Sequence, residues 1–335
     1  MKHILLAGAL LAGSALPLAA QTHYPLTLQN CDRQIRFDAA PDSVVTIGQS
    51  ATEILYSLGL APKVTGTSVW FTPVLPQFAK VNAGIERLAD NDPSFESVVA
   101  KRPGLVAAQY EWHVGENGAV GTREMFADLG IATYILPADC DTKDNATGGD
   151  GTRTGAFAPA QVYKGIRQLA EIFDVGAAGD TLIAQLQATE EAAVARARAL
   201  DLPKDLSAVF WFSSPDLESD PYVAGRLGAP GYMMRQLGIR NVIQSDEEWP
   251  TVGWETIARA DPDVIVLATM DRRRFTADDI AAKRKFLETD PVASQMTAVR
   301  EGHIVEMDAH AMSATMRTLY GLDSLSRALS KMTFE

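Results

Sequence analysis

The stretch Val44–Ser68, VVTIGQSATEILYSLGLAPKVTGTS, constrains the fold more than any other part of the chain, because it reads strand, turn, helix, turn, strand. Val44, Val45 and Ile47 form a short β-branched apolar run, and Gly48, Gln49 and Ser50 break it with small polar groups at its carboxyl end. Ser50 or Thr52 is placed to cap a helix that carries Ile54, Leu55, Leu58 and Leu60 on one side and stops at Gly59 and Pro62. Lys63–Ser68 then starts the next strand. A unit of this kind sets a parallel pair by a right-handed crossover, and it leaves Gly48–Ser50 at the edge where open α/β sheets bind ligands.

A second pattern occurs twice. Phe95-Glu96-Ser97-Val98-Val99 leads to Pro103-Gly104-Leu105-Val106, and Trp254-Glu255-Thr256-Ile257 leads to Pro262-Asp263-Val264-Ile265-Val266. In both, an aromatic residue and a Glu open an amphipathic helix, a Pro stands seven residues beyond the Glu, and a buried strand follows. With 335 residues the chain has room for two domains, so the expectation is two lobes of related architecture. Before the first lobe, Thr22–Ala40 alternates like a hairpin or arm closed by Pro41, and Val81–Asn91 reads as irregular. Asp139–Pro159 is a loop whose carboxylates Asp139, Asp141 and Asp144 lack the spacing of a calcium site. Ala160–Phe173 and Thr181–Leu200 have helical spacing. Strands follow at Ala208–Phe212, Val264–Ala268 and His303–Met307, with helices near Tyr232–Gly238, Ala277–Glu288 and Arg317–Ser330. The expected divisions are a leader at 1–20, an arm at 21–41, an N-terminal lobe at 42–158, a connecting helix at 159–176 and a C-terminal lobe at 177–335.

The leader has Lys2, an apolar core from Ile4 to Leu18, and Ala19 and Ala20 before Gln21, the pattern of a cleaved secretory signal peptide. No cysteine stands at the cleavage point, so the expectation is a periplasmic protein without a lipid anchor. The chain's two cysteines, Cys31 and Cys140, are both in the mature part and are expected to pair in that oxidising compartment. A formal net charge of -12 argues against a nucleic-acid partner.

With these pieces in place, the chain from about Asp42 onward resembles the periplasmic substrate-binding proteins of ABC importers for iron–siderophore, haem and cobalamin ligands. The opening Val44–Ser68 unit and the two Glu-to-Pro units carry the likeness. It implies an α/β fold of two Rossmann-like lobes joined by a single long α-helix, with the ligand cleft between them. It also implies a monomer without a cofactor of its own, in which Glu96 and Glu255 dock into arginine pockets of a membrane permease dimer. Exposed carboxylates at helix starts are also favoured by the helix dipole alone.

If ligand sits where strand ends meet between lobes, the residues themselves name candidates. The N-terminal lobe offers Gln49, Ser50, Trp70, Phe71, Tyr110 and Trp112, and the C-terminal lobe offers Trp211, Tyr222, Trp249, Arg272, Arg273 and His310. Aromatic side chains bury flat area at little rotamer cost and suit a planar or catecholate-bearing ligand. Arg272 and Arg273 either clamp anionic groups of an iron chelate through planar forks or belong to a solvated charge run. His113 with Glu111, and His310 with Asp308, are the residues from which direct binding of a transition-metal ion could be built. A secreted metal-dependent hydrolase is the remaining alternative, although the chain has no Gly-x-Ser-x-Gly elbow or His-Glu-x-x-His helix. No catalytic residue is assigned.

Overall fold

A computed structural model describes residues 21–146 and 151–334, so the leader at 1–20 lies outside the described residues. An antiparallel hairpin comes first, β1 (Leu26–Asn30) and β2 (Arg33–Phe37). Asn30 is fully buried and uses its side-chain amide like a strand backbone, donating to Ile135 O at 2.7 Å and accepting from Ile135 N at 2.9 Å. The arm is thereby joined to the first sheet, and a disulfide between Cys31 and Cys140 ties it to the same lobe.

That sheet is wholly parallel. Its strands are β3 (Val44–Ile47), β4 (Val64–Ser68), β5 (Arg87–Ala89), β6 (Leu105–Ala108) and β7 (Ala132–Ile135), in the order β5-β4-β3-β6-β7. β3 is therefore central, and the helix Gln49–Ser57 carries the chain across to β4. The helix does not begin with a Ser50 or Thr52 cap. Gly48 is the N-cap, with no side-chain hydrogen bond, while Thr52 Oγ1 turns back to Gly48 O at 3.1 Å and Thr46 Oγ1 at 2.7 Å. Glycine is required there for two reasons: its φ is +126°, and a Cβ would sit 2.2 Å from Gln109 Cβ. The 81–91 segment is also more regular than its sequence suggests, since it supplies the end of a short helix at Ala79–Asn82 and the edge strand β5.

The acidic stretch after β7 is not a plain surface loop either. It folds into β8 (Lys143–Asp144) and β9 (Thr152–Arg153), and Thr152 bridges to Glu247 in the second lobe. Two helices follow, Pro159–Ile172 and Gly176–Arg198, so the break falls at 173–175. The second sheet holds β10 (Ser207–Ser213), β11 (Tyr222–Val223), β12 (Arg240–Asn241), β13 (Val264–Thr269) and β14 (Ile304–Asp308). β10, β13 and β14 are parallel neighbours, β12 adds a short parallel pair to β10, and β11 is antiparallel. In both lobes the helix carrying the repeated Glu precedes the strand beside the central one, β6 in one and β13 in the other.

Strand alternation sorts the core. Val44, Leu105, Ala107, Phe210 and Val266 face a shared layer that includes the two middle helices and the C-terminal helix Arg317–Leu329. Val45, Ile47 and Val106 face an outer core in the first lobe, and Val209, Trp211 and Ile265 face one in the second. The lobes thus share a continuous apolar back, and their carboxyl strand ends meet in front of it.

Candidate functional site

The ends of β3 and β6 place Gln49, Ser50 and Gln109 on the seam between lobes. Gln49 is fully buried and serves the loop after β4: its Oε1 accepts from Phe71 N at 3.2 Å and Thr72 N at 3.3 Å, and its Nε2 donates to Pro73 O at 3.2 Å. Phe71 is presented across the seam as a result. Its ring is stacked with that of His310 at 6.0 Å and lies edge-on to Phe212 at 6.3 Å. The Arg272 guanidinium lies 4.0 Å from the Phe71 ring centroid, and Asp271 N and Arg272 N both donate to Phe71 O. Trp249 packs against Phe212 at 4.7 Å.

Beside this cluster His310 Nε2 is 3.1 Å from Gln109 Oε1, which also accepts from Ser50 N at 2.8 Å. An oxygen that accepts from a backbone N–H has its amide orientation fixed, so the imidazole must be the donor from Nε2. His310 Nδ1, Gln109 Nε2 and Ser50 Oγ are buried without a partner among the described residues. Burial pushes the His310 imidazole well below its ordinary range, and the nearby Arg317 charge adds to this. A cavity of about 10 Å³ beside Ser50, lined also by Ile54, Leu136, Gln161 and Ala314, is on the scale of a single water.

Two buried ion pairs cross the seam, and neither was among the candidates. Arg317 Nε donates to Glu53 Oε2 at 2.9 Å, and the same guanidinium reaches Asp308, Thr72 Oγ1 at 3.1 Å and Pro73 O at 2.7 Å. Burial pushes the Glu53 carboxyl up, while the bond to Arg317 opposes that shift. Arg153 Nε donates to Glu248 Oε2 at 2.5 Å, with both side chains buried. The sequence held a sign of the first pair, since Glu53 is the one charged residue between Asp42 and Lys63.

The other candidates are dispersed. Trp70 is buried within its own lobe, with Nε1 on Thr67 Oγ1 at 3.2 Å and the Arg87 guanidinium over its ring. Trp112 is 63% exposed, and Tyr110 lies tilted on His113 at 5.8 Å. Trp211 shows no surface: its parity on β10 matches Val209, so it faces the outer core against Trp254 at 4.7 Å and Phe286 at 5.8 Å. Tyr222, on β11, is 6.2 Å from Phe275. Arg273 is exposed and turns to the carbonyl of Met270.

The metal-binding grouping is not assembled. His113 Nε2 pairs with Asp92 Oδ1 at 3.1 Å, Glu111 Oε2 accepts from Asn145 Nδ2 at 2.8 Å, and Asp308 takes the backbone N–H of His310 rather than its ring. Among the described residues no three His, Cys, Asp or Glu side chains come together in a way that could hold a metal ion. The His113 bond also holds Asp92 below the usual carboxylate range, helped by Arg274. Glu96 and Glu255 stand exposed in the first turns of the helices Phe95–Val99 and Trp254–Ala260.

Residues 44–311 match the family model described as periplasmic binding protein. The chain belongs to that family. An ABC transporter substrate-binding lipoprotein of Bacillus subtilis, itself uncharacterized, is 23% identical over 342 residues, covering 99% of this chain and 96% of the relative. An ABC-type Fe3+-hydroxamate transport system from Saccharomonospora viridis superposes with a TM-score of 0.73 at 23% identity, over 92% of this chain and 99% of that one. A periplasmic haem-binding protein from Roseiflexus gives 0.66 at 20% identity, over 86% and 97%. This periplasmic binding protein therefore has the two-lobed fold of its neighbours, and its seam is the place where strand ends of both lobes converge. No described helix is long and apolar enough to cross a membrane.

Proposed function

We propose that this protein captures an iron–siderophore complex or a tetrapyrrole such as haem or cobalamin between its lobes and passes it unaltered to an ABC permease. On this reading the mature chain works in the periplasm as a monomer, after loss of residues 1–20 and without a lipid anchor. The observation that carries the proposal is the Phe71 cluster, in which one ring of the N-terminal lobe meets His310, Phe212 and the Arg272 guanidinium of the other. Flat aromatic faces with a cation above them match a conjugated ligand bearing anionic groups. Two of the structural neighbours, one named for Fe3+-hydroxamate transport and one for haem binding, agree with that chemistry.

A chelate of this class needs a pocket of roughly 300 Å³ or more. Entry therefore separates Phe71 from His310 and Arg272, and the shared back layer acts as the hinge side. Glu96 and Glu255, exposed one to a lobe, are the surfaces offered to the permease. A thermal-shift panel of ferric hydroxamate, haemin, cyanocobalamin and free Fe3+ or Zn2+ tests the reading. A chelate at about 100 times its Kd adds about 2.7 kcal/mol of stability and raises the Tm without being converted. A rise with free ions alone, or turnover of a chelate, overturns it.

A further inference from the structure

We infer that Lys283 is a positioning residue of the cargo site, pinning together the carboxyl ends of β10 and β13 so that Phe212 and the Met270–Arg272 turn face the other lobe. The inference rests on the proposal that cargo is held at the seam.

Lys283 lies on the helix Ile280–Thr289 and is fully buried. Its Nζ donates to Phe212 O at 2.5 Å and to Ala268 O at 2.8 Å. These two carbonyls mark the point where the strands part. The β10–β13 register runs from Ala208 opposite Val264 to Trp211 opposite Leu267, and Phe212 and Ala268 are the next residue on each strand. Buried carbonyls beyond the end of a ladder need a donor from elsewhere. Lys283 supplies one N–H to each and joins the strands where the backbone no longer does.

Both strands lead directly into the seam. On β10, a register shift between Trp211 and Ser213 marks where the strand leaves its regular alternation, and Phe212 reaches Phe71 and Trp249. On β13, the chain runs on to Met270, and Asp271 N and Arg272 N then bond Phe71 O. Phe212 and Arg272, which both touch Phe71, are thus connected through one amine.

Packing alone does not call for an amine here, since Leu287, one helical turn on, fills the same buried side with hydrocarbon. Burial is costly for the charge and drives the Lys283 ammonium down to about 7, with Asp278 opposing the shift and Arg273 adding to it. Asp278 gives its oxygens to Ser213 Oγ, Arg274 N and Phe275 N, and the Trp211 ring lies 5.5 Å from Nζ. On the lysine's own helix, Arg284 and Lys285 are exposed.

The pH dependence separates positioning from bulk stability because the two have opposite signs. The charged amine makes the stronger bonds to both carbonyls, so cargo affinity falls as pH rises through about 7. Above that value the unfolded chain keeps a proton that the folded lysine has lost, so this group's contribution to stability increases with pH.

The test compares wild type, Lys283→Met and Lys283→Gln, with ferric hydroxamate and haemin as probes read by tryptophan quenching between pH 6.5 and 8.5. Amide hydrogen exchange over residues 212–214 and 268–272 is measured without a probe. The expected result is binding at least tenfold weaker in Lys283→Met at pH 6.5 and intermediate in Lys283→Gln. Wild-type affinity should drop with pH while its urea midpoint holds or rises, and exchange in the two segments should quicken at least tenfold in the Met variant. Unchanged exchange overturns the inference whether or not either probe binds. If neither probe binds wild type but exchange quickens, the positioning stands and the cargo proposal fails. Should Lys283→Met not fold, the same exchange readout on Lys283→Gln decides.

Discussion

Arg317 and Glu53, 264 residues apart, close the seam as a buried ion pair, with Arg317 Nε 2.9 Å from Glu53 Oε2 and the carboxylate wholly shielded from solvent. The pair joins the first turn of the C-terminal helix to the helix after the central strand of the opposite lobe. Removing one partner leaves the other charged and unsatisfied, so Arg317→Met should lower unfolding stability by about 3–5 kcal/mol. Replacing both, as Glu53→Leu with Arg317→Met, should recover most of the loss. Urea denaturation of the four proteins of that cycle checks it. A double variant as unstable as the single one would show that the remaining contacts of Arg317, to Asp308, Thr72 and Pro73, dominate instead.

His310 sets a different condition, because its surroundings disfavour the charged imidazole. Its folded-state pKa is well below the ordinary 6.5, through burial first and the Arg317 charge second. The contribution to stability is therefore present above about 6.5 and is lost as pH falls, by up to about 1.4 kcal/mol per pH unit, while the unfolded chain takes a proton that the folded one refuses. Between pH 7.5 and 5.5, wild type should lose about 1 kcal/mol or more beyond what His310→Gln loses. Parallel loss in both proteins, measured by urea midpoint, would mean that the imidazole is not held neutral at the Gln109 contact.

The Cys31–Cys140 disulfide spans 109 residues and joins the arm to the loop after β7. In the chain-entropy account a loop of that length stabilises by about 4–5 kcal/mol. Cys31→Ser with Cys140→Ser should reduce stability by about 2–5 kcal/mol. Asn30 still holds the arm to Ile135 through two hydrogen bonds, so the reduced protein should keep its fold and cargo affinity. Circular dichroism melts with and without reductant test this, and an unchanged melt would locate the arm's stability in the Asn30 contacts.

How far the sequence could be read depended on the range of the interaction. The strand–helix–strand unit at Val44–Ser68 and the two Glu-to-Pro units were legible because β-branched runs, helical spacing and proline stops act within a few residues. Trp211 misled because its neighbours identify a strand but not which face meets the seam. Parity is fixed only when β10 packs, and that puts Trp211 with Trp254. Arg153, Lys283 and Arg317 were missed for a related reason. Each is a cation whose partner is distant in sequence, and an isolated basic residue reads as surface until the fold supplies the carboxylate or carbonyl that justifies burying it. Glu53 alone was detectable locally, as a single charge in a long uncharged run.

Glu96 and Glu255, proposed to face the permease, stand exposed in first turns away from the Phe71 cluster. Ser94 caps the first helix by accepting from Ser97 N at 3.2 Å, and Gly253 precedes the second, so neither glutamate is needed as the cap. Each carboxylate is solvent-exposed in a first turn, where the helix dipole contributes at most about 1 kcal/mol. Neither makes a seam contact of the kind described for Phe71, His310 or Arg317. Glu96→Ala and Glu255→Ala should therefore leave chelate affinity within twofold and the melting temperature nearly unchanged. Uptake into vesicles carrying the partner permease should fall severalfold for each single variant and further for the pair. A drop in affinity without a drop in uptake per bound chelate would place these carboxylates at the cargo site and overturn the docking role proposed for them.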